Sequence, residues 1–340
     1  MRASMLLAPL LAAVALSSSC DSTPVTLDEA RLSGLPALAS SVDTSRLMAT
    51  LNAVVETHRT DTPLDCSRFG ITPPDPSNRL CHLTREKTRA YLRHQLEELG
   101  YTLTEHVSHD GGLDVVNVVA EKRGTRIPDE VVLVGAHYDA YYSGADDNGT
   151  GVAAVLELAR VFSSRSFDRT VRFVGFDLEE LGSVGSTRYV AEQAKDSHIV
   201  VALILDTIGY RSTAPGSQRS VPPLSFPTTG DFILAFANAN ASRQLDEMWE
   251  LHQRMDLTRM MTIGAPGNGN GPLTGDLLRS DHAPFWLAGT PALMLNDSAE
   301  LRNPHYHQPT DTPETLDSAF FSDVVRLSAV SVAYWAGGVR

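Results

Sequence analysis

The chain has 340 residues, 42% of them hydrophobic, enough to bury the core of one large α/β domain or two smaller ones. It carries 28 Lys and Arg against 41 Asp and Glu, a net charge of −13. So acidic a chain lacks the basic surface that phosphate backbones require, which argues against nucleic acid as a partner.

The N-terminus has the pattern of an export signal. Arg2 supplies a positive charge, residues 5–16 form an apolar run too short to span a bilayer, and Ser17, Ser18 and Ser19 follow. Small residues directly before Cys20 resemble a bacterial lipoprotein cleavage site, although Ser17 stands where such sites usually have leucine. Residues 1–19 are therefore expected to be a signal peptide and Cys20 a lipidation site, giving a periplasmic or membrane-anchored protein. The alternative is a plain secretory signal cut nearby. Residues 20–42 are small and polar and read as a tether, leaving 43–340 as one folded domain. An oxidising compartment would let Cys66 and Cys81 form a disulfide closing a loop that holds Pro73, Pro74 and Pro76. Two unrelated thiols is the other reading.

Helical spacing is present at 45–57 and 84–99, where Tyr91, Leu92, Leu96 and Leu99 fall near one stripe and Gly100 ends it. Strands are expected at 115–120 and 131–135, a helix at 151–162, a strand at 170–176 and a helix at 186–194. Further strands are expected at 200–205 and 292–295, and a last helix at 318–335. Residues 210–227 and the glycine-rich 264–275 read as loops rather than domain linkers. Strands alternating with helices predict a single three-layer α/β domain, its mostly parallel mixed sheet covered on both faces.

The chemistry lies at the strand ends. His137 and Asp139 follow the strand at 131–135, and Asp146 and Asp147 follow in Gly-Ala-Asp-Asp-Asn-Gly-Thr-Gly. Asp177, Glu179 and Glu180 follow 170–176, and Asp206 follows 200–205. Asp281 and His282 precede the last strand, and His305 and His307 come after it. Each piece alone has a plainer reading: a core histidine, a helix cap, a helix start, a surface pair. Together and in order they converge on the carboxyl ends of the strands, where open α/β sheets bind ligands. Carboxylates gathered in one place need a cation among them. With imidazole present and no cysteine available, zinc suits best, and two ions roughly 3.5–4 Å apart would need a bridging carboxylate.

The succession His-x-Asp, Gly-Ala-Asp-Asp-Asn-x-x-Gly, Glu-Glu-x-Gly-x-x-Gly-Ser, a strand ending in Asp, Ser-Asp-His and Asn-Pro-x-x-His-x-x-x-Asp-Thr resembles the M28 zinc peptidases. These include bacterial leucyl-type aminopeptidases and the aminopeptidase Y group. The likeness covers about residues 115–334. It implies the zinc-dependent exopeptidase fold, two Zn2+ per chain and peptide substrates cut at the N-terminus, which would make 43–340 a zinc peptidase domain. By position, His137 and Asp206 match the ligands of one zinc, Glu180 and His307 those of the other, and Asp147 the bridge. Glu179 matches the general base, and Asp139 the carboxylate that orients His137. Arg279, Asp281, His282 and Tyr306 are candidate substrate-binding residues. The segment before Ser280 lacks the tyrosine that some members use to stabilise the oxyanion, leaving Tyr306, Arg279 or zinc for that task. His305 is expected to be a neighbour of the site rather than a ligand.

Three alternatives remain at this point. A glutaminyl cyclase shares the fold but usually has tryptophan where Tyr306 stands. A carboxypeptidase of the family would need a basic group such as Arg279 or Arg302. A non-catalytic binding lipoprotein would be expected to have lost Glu179.

Overall fold

The computed structural model describes residues 25–340 except 195, 196, 223, 270, 272 and 273, so the expected signal peptide 1–19 and Cys20 lie outside the described residues. In chain order the elements are α1 (Glu29–Leu32), α2 (Leu35–Ser40), α3 (Thr44–Thr60), β1 (Leu83–Thr84), α4 (Glu86–Glu98), β2 (Leu103–Asp110), β3 (Leu113–Lys122), β4 (Ile127–His137), β5 (Ala140–Tyr141) and α5 (Gly151–Ser163). They continue with β6 (Arg169–Phe176), α6 (Val184–Glu192), β7 (His198–Leu205), β8 (Ile233–Asn238), α7 (Ser242–Met255), β9 (Met260–Ala265), α8 (His282–Leu287), β10 (Ala292–Asn296) and α9 (Ser318–Trp335).

One eight-stranded sheet, ordered β2-β3-β6-β4-β7-β10-β8-β9, organises the molecule. β4 pairs in parallel with β6 on one side and β7 on the other, and β7 with β10. β2, β3 and β8 run antiparallel to their inner neighbours. Alternate residues of the central strands face opposite layers, as the two-residue period of a strand requires. Val132, Val134, Leu203 and Leu293 join the larger core with α3, α5, α7 and α9, whereas Leu133, Ile204 and Met294 join a second core with Tyr189 of α6 and Trp286 of α8. Burial on both faces explains why these strands read as continuous apolar runs.

Two differences from the sequence reading have physical causes. Residues 25–42, expected as a tether, fold onto the domain. Leu27, Leu35, Leu38 and Val42 are buried, and the Asp28 amide donates to Tyr334 Oη on α9 at 2.9 Å. The helices there are only four and six residues long, so no apolar period stands out in the sequence. Strands β2, β8 and β9 were not expected. β2 lies at the sheet edge, where half-exposed residues such as Glu105 and Val107 break the apolar run. Among the described residues no helix is long and apolar enough to cross a membrane.

Candidate metal centre

The parallel strands deliver the site. β4 is the switch point of the sheet: the chain passes from β4 through α5 to β6 on one side, then through α6 to β7 on the other. The crevice at its carboxyl end is where such sheets bind ligands. His137 is the last residue of β4, Asp206 directly follows β7, and Glu179 and Glu180 follow β6 by three and four residues.

Asp147 arrives on an irregular turn, Ala145–Thr150, that leads into α5. Asp311 fixes that turn, accepting from the amides of Asp146 at 3.0 Å and Asp147 at 3.2 Å. Asn148 ties it to the end of β7, donating to the Leu205 carbonyl at 2.9 Å. Gly144 admits the turn, with φ of +49° and a Cβ position that would lie 2.7 Å from the Asp147 carbonyl oxygen. The Asp147–Asn148 peptide bond is cis. Leu178, Thr207 and His307, non-glycine residues at or within two positions of donors, also have positive φ, a conformation that costs roughly 1–3 kcal/mol each and concentrates at functional sites.

Five side chains meet in two overlapping groups: His137, Asp147 and Asp206, and Asp147, Glu180 and His307, with the donor atoms of each group within 4.8 Å of one another. His137 Nε2 lies 3.3 Å from Asp147 Oδ1 and 3.8 Å from Asp206 Oδ1. His307 Nε2 lies 2.8 Å from Asp147 Oδ2 and 3.1 Å from Glu180 Oε2. Asp147 thus presents one oxygen to each group. Both Nε2 atoms and Glu180 Oε1 are buried and make no hydrogen bond of good geometry among the described residues. Imidazole and carboxylate donors pointed at a common centre, with no cysteine among them, fit zinc.

The His137 ring is steered from behind. Its Nδ1 lies 3.1 Å from the Asp139 carbonyl oxygen and 3.5 Å from Asp139 Oδ1. The Asp139 carboxylate also accepts from the Glu179 amide at 3.0 Å and the Glu180 amide at 3.2 Å, so one buried side chain sets both walls of the site. Burial lowers the His137 pKa, but Asp139, Asp147 and Asp206 outweigh it and hold it well above its ordinary value. Burial likewise opposes ionised His307, yet Asp147 and Glu180 lift it to about 10. Burial, helped by the Asp147 charge, pushes Glu180 up to about 8. Against the pull of burial, His137 and His307 hold Asp147 below the usual carboxylate range. Burial, with Asp206, Asp281 and Glu180 adding repulsion, raises Glu179 well above its ordinary value. Such a crowd of carboxylates is what a divalent cation relieves.

The other expected residues fall into distinct places. Tyr306 stacks on the His307 ring, centroids 3.8 Å apart. It also lines an apolar cavity of about 280 Å³ that opens beside Asp206, with Leu224, Phe226, Phe236, Ile263 and Met294 in its walls. His282 is part of that wall, and burial pushes its pKa down to about 4. Arg279 sits at the cavity rim, paired with Glu300. Asp281 is fully buried, and burial pushes it up to about 7. Asp177 turns away to pair with Arg85. His305 Nδ1 lies 2.9 Å from Thr310 Oγ1 and belongs to neither donor group. The sulfurs of Cys66 and Cys81 are bonded.

Some supporting residues were not assigned in the sequence. Asn303 donates to Asp146 Oδ2 at 2.8 Å, turning that carboxylate away from the donors. Both Asn303 and Asp311 sit in the Asn-Pro-x-x-His-x-x-x-Asp-Thr motif, which was the available signal. Arg79 Nη1 lies 2.9 Å from His307 Nδ1, and nothing in the sequence marked it.

Known proteins resemble the chain in sequence or in fold. The uncharacterized protein YfbL of Escherichia coli is 31% identical over 261 residues, 70% of this chain and 77% of that protein. The probable lipoprotein aminopeptidase LpqL of Mycobacterium tuberculosis is 30% identical over 65% of this chain, which spans 45% of that relative's length. The Legionella pneumophila LapA aminopeptidase matches with TM-score 0.65 and 18% identity, over 94% of this chain and 79% of that structure. Porphyromonas gingivalis glutaminyl cyclase matches with TM-score 0.57 and 18% identity, over 86% of this chain and 98% of that structure. At these identities both structures attest the fold. The model of peptidase family M28 matches residues 117–332, a stretch that contains every donor and most of the sheet, and the chain belongs to that family.

Proposed function

We propose that the protein is a two-zinc aminopeptidase, in which His137 and Asp206 would hold one ion, Glu180 and His307 the other, and Asp147 would serve both. The observation that carries this reading is the pair of donor groups sharing Asp147, with Glu179 directly beside one ligand. The name of the mycobacterial relative supports the aminopeptidase class. When bound, a zinc pair polarises the scissile carbonyl and makes a water acidic enough to ionise near neutral pH.

The chain's own groups then divide the work. Glu179 takes the proton of the attacking water and passes it to the departing amine. Asp139 fixes Glu179 and Glu180 through their amides and His137 through Nδ1. Tyr306, stacked on His307 at the cavity mouth, lies against the substrate, whereas Arg279 is engaged by Glu300. The surrounding carboxylates favour a cationic group, the free α-amine, which restricts cutting to the N-terminus. The apolar cavity beside Asp206 receives the first side chain and selects large aliphatic or aromatic residues. Export with a lipid on Cys20 is part of the proposal, in keeping with the lipoprotein name of that relative.

A panel of amino acid p-nitroanilides tests it, with the protein zinc-loaded, chelated, and given N-acetylated controls. Cleavage of Leu and Phe substrates with a free amine, abolished by chelator, is expected. Conversion of N-terminal glutamine to pyroglutamate without cleavage would make the protein a cyclase, and trimming from the C-terminus a carboxypeptidase.

A further inference from the structure

The loop closed by Cys66 and Cys81 reaches the metal centre through one side chain. Arg79 opens the short turn Arg79–His82, two residues before the disulfide. Its backbone is fixed from several sides. Leu80 packs against the small core of Leu83, Val115, Tyr141 and Leu178, the His82 ring packs tilted against Tyr142 with centroids 4.4 Å apart, and the Tyr142 amide donates to the His82 carbonyl at 3.3 Å. The guanidinium lies 5.2 Å from the Tyr141 ring centroid and 2.9 Å from His307 Nδ1. It is exposed, and among the described residues no carboxylate lies within 4.0 Å of it.

The contact with His307 is incompatible with a metal on that ring. A guanidinium only donates, so Nδ1 must accept. A histidine that gives its Nε2 lone pair to a cation keeps its remaining proton on Nδ1, which then donates. Two donors would face each other, and Arg79 must turn to another acceptor.

The layout says where the acceptor comes from. The apolar cavity opens beside Asp206, in the His137 group, while Arg79 lies beyond His307, in the other. A substrate with its first side chain in the cavity sends its leaving residue across Asp147 toward Arg79. In an extended dipeptide the terminal carboxyl carbon is three bonds past the scissile carbonyl carbon, roughly 4 Å. Arg79 stands one imidazole ring and one hydrogen bond beyond the donor atom of His307, on the side toward which the leaving residue would run. We propose that Arg79 binds a carboxylate on the leaving residue, so that the enzyme prefers dipeptides with a free C-terminus; this rests on the aminopeptidase reading above. An Asp or Glu side chain on the leaving residue would present the same chemistry.

The test compares the zinc-loaded wild-type protein with R79M and R79K on Leu-Gly, Leu-Gly amide, Leu-Asp amide and Leu-p-nitroanilide. A charge-assisted contact predicts that wild type favours Leu-Gly over its amide by roughly 10–100-fold in kcat/KM, chiefly through KM. R79M should bring that ratio near one and R79K recover part of it. Leu-p-nitroanilide, which has no carboxylate, reports damage to the site itself, and Leu-Gly must lose at least about tenfold more. A recovered rate on Leu-Asp amide, lost in R79M, would assign the carboxylate to the side chain. Calorimetry with a Leu-Gly analogue whose scissile carbonyl is a methylene gives a readout without turnover: R79M should weaken it by a similar factor. Equal losses on Leu-Gly and its amide, or unchanged binding of the analogue, would overturn the assignment. Failure of wild type to cleave Leu-p-nitroanilide would instead sink the aminopeptidase reading, with the calorimetry still deciding the role of Arg79.

Discussion

Replacing Asp139 by asparagine should separate the two tasks of that side chain. Its two carboxylate oxygens accept from the amides of Glu179 and Glu180, at 3.0 and 3.2 Å. Asparagine keeps one acceptor and turns a donor toward the other amide. One charge-assisted hydrogen bond is lost at a buried position, which costs about 2–3 kcal/mol of stability. The effect on metal is smaller than complete loss of an orienting partner. The main-chain carbonyl of residue 139 still lies 3.1 Å from His137 Nδ1 and keeps the ring proton there. The expected loss of zinc affinity is therefore near the lower end for such partners, about tenfold or ~1.4 kcal/mol. Urea unfolding of the chelated protein measures the first quantity, and competition with a chromophoric chelator the second. A D139N protein as stable as wild type without metal would refute the claim that Asp139 holds the Glu179–Glu180 turn.

Glu179→Gln should retain zinc at wild-type stoichiometry while turnover falls roughly 10²–10⁴-fold, the span of a lost general base; loss of metal together with activity would make it a ligand. Serine at both Cys66 and Cys81, which are 15 residues apart, should cost about 3 kcal/mol in equilibrium unfolding, by loop-closure entropy. His282 should make stability fall in acid. Its folded pKa is depressed by burial from 6.5 to about 4, so the stability it contributes is present above pH 6.5 and lost as the pH falls toward 4. The loss approaches about 3 kcal/mol, and His282→Gln should flatten that part of a pH profile of unfolding free energies. A profile of unchanged slope would show that His282 does not titrate as placed.

How much of this was legible varied with the kind of signal. His137 and Asp206 end apolar β-strands, and an isolated polar residue at the end of a buried run stands out in any sequence. The order of these residues with Asp147, Glu180 and His307 was enough to group them, and the structure brings those five together. The sequence of Asp146-Asp147 could not say by geometry which carboxylate faces the centre. That is decided by Asn303 and Asp311, more than 150 residues away. The wall residues of the cavity come from loops and strands with no common period, so its shape depends on packing. Arg79 is illegible for a similar reason: its loop has no periodicity, and its position is set by its own contact with Tyr141 and by His82 packing on Tyr142. Leu35 and Leu38 have the spacing of a helix stripe, but their helix is only six residues long and has Pro36 between them, so no period stands out.

Hydrolysis at a free N-terminus would depend on two ions sharing Asp147. The most direct test is turnover of Leu-p-nitroanilide by chelated protein as zinc is returned in measured steps. The rate should rise from background and level off at two zinc per chain. A rate that is already maximal without zinc, or that stays at background with both equivalents bound, would contradict it.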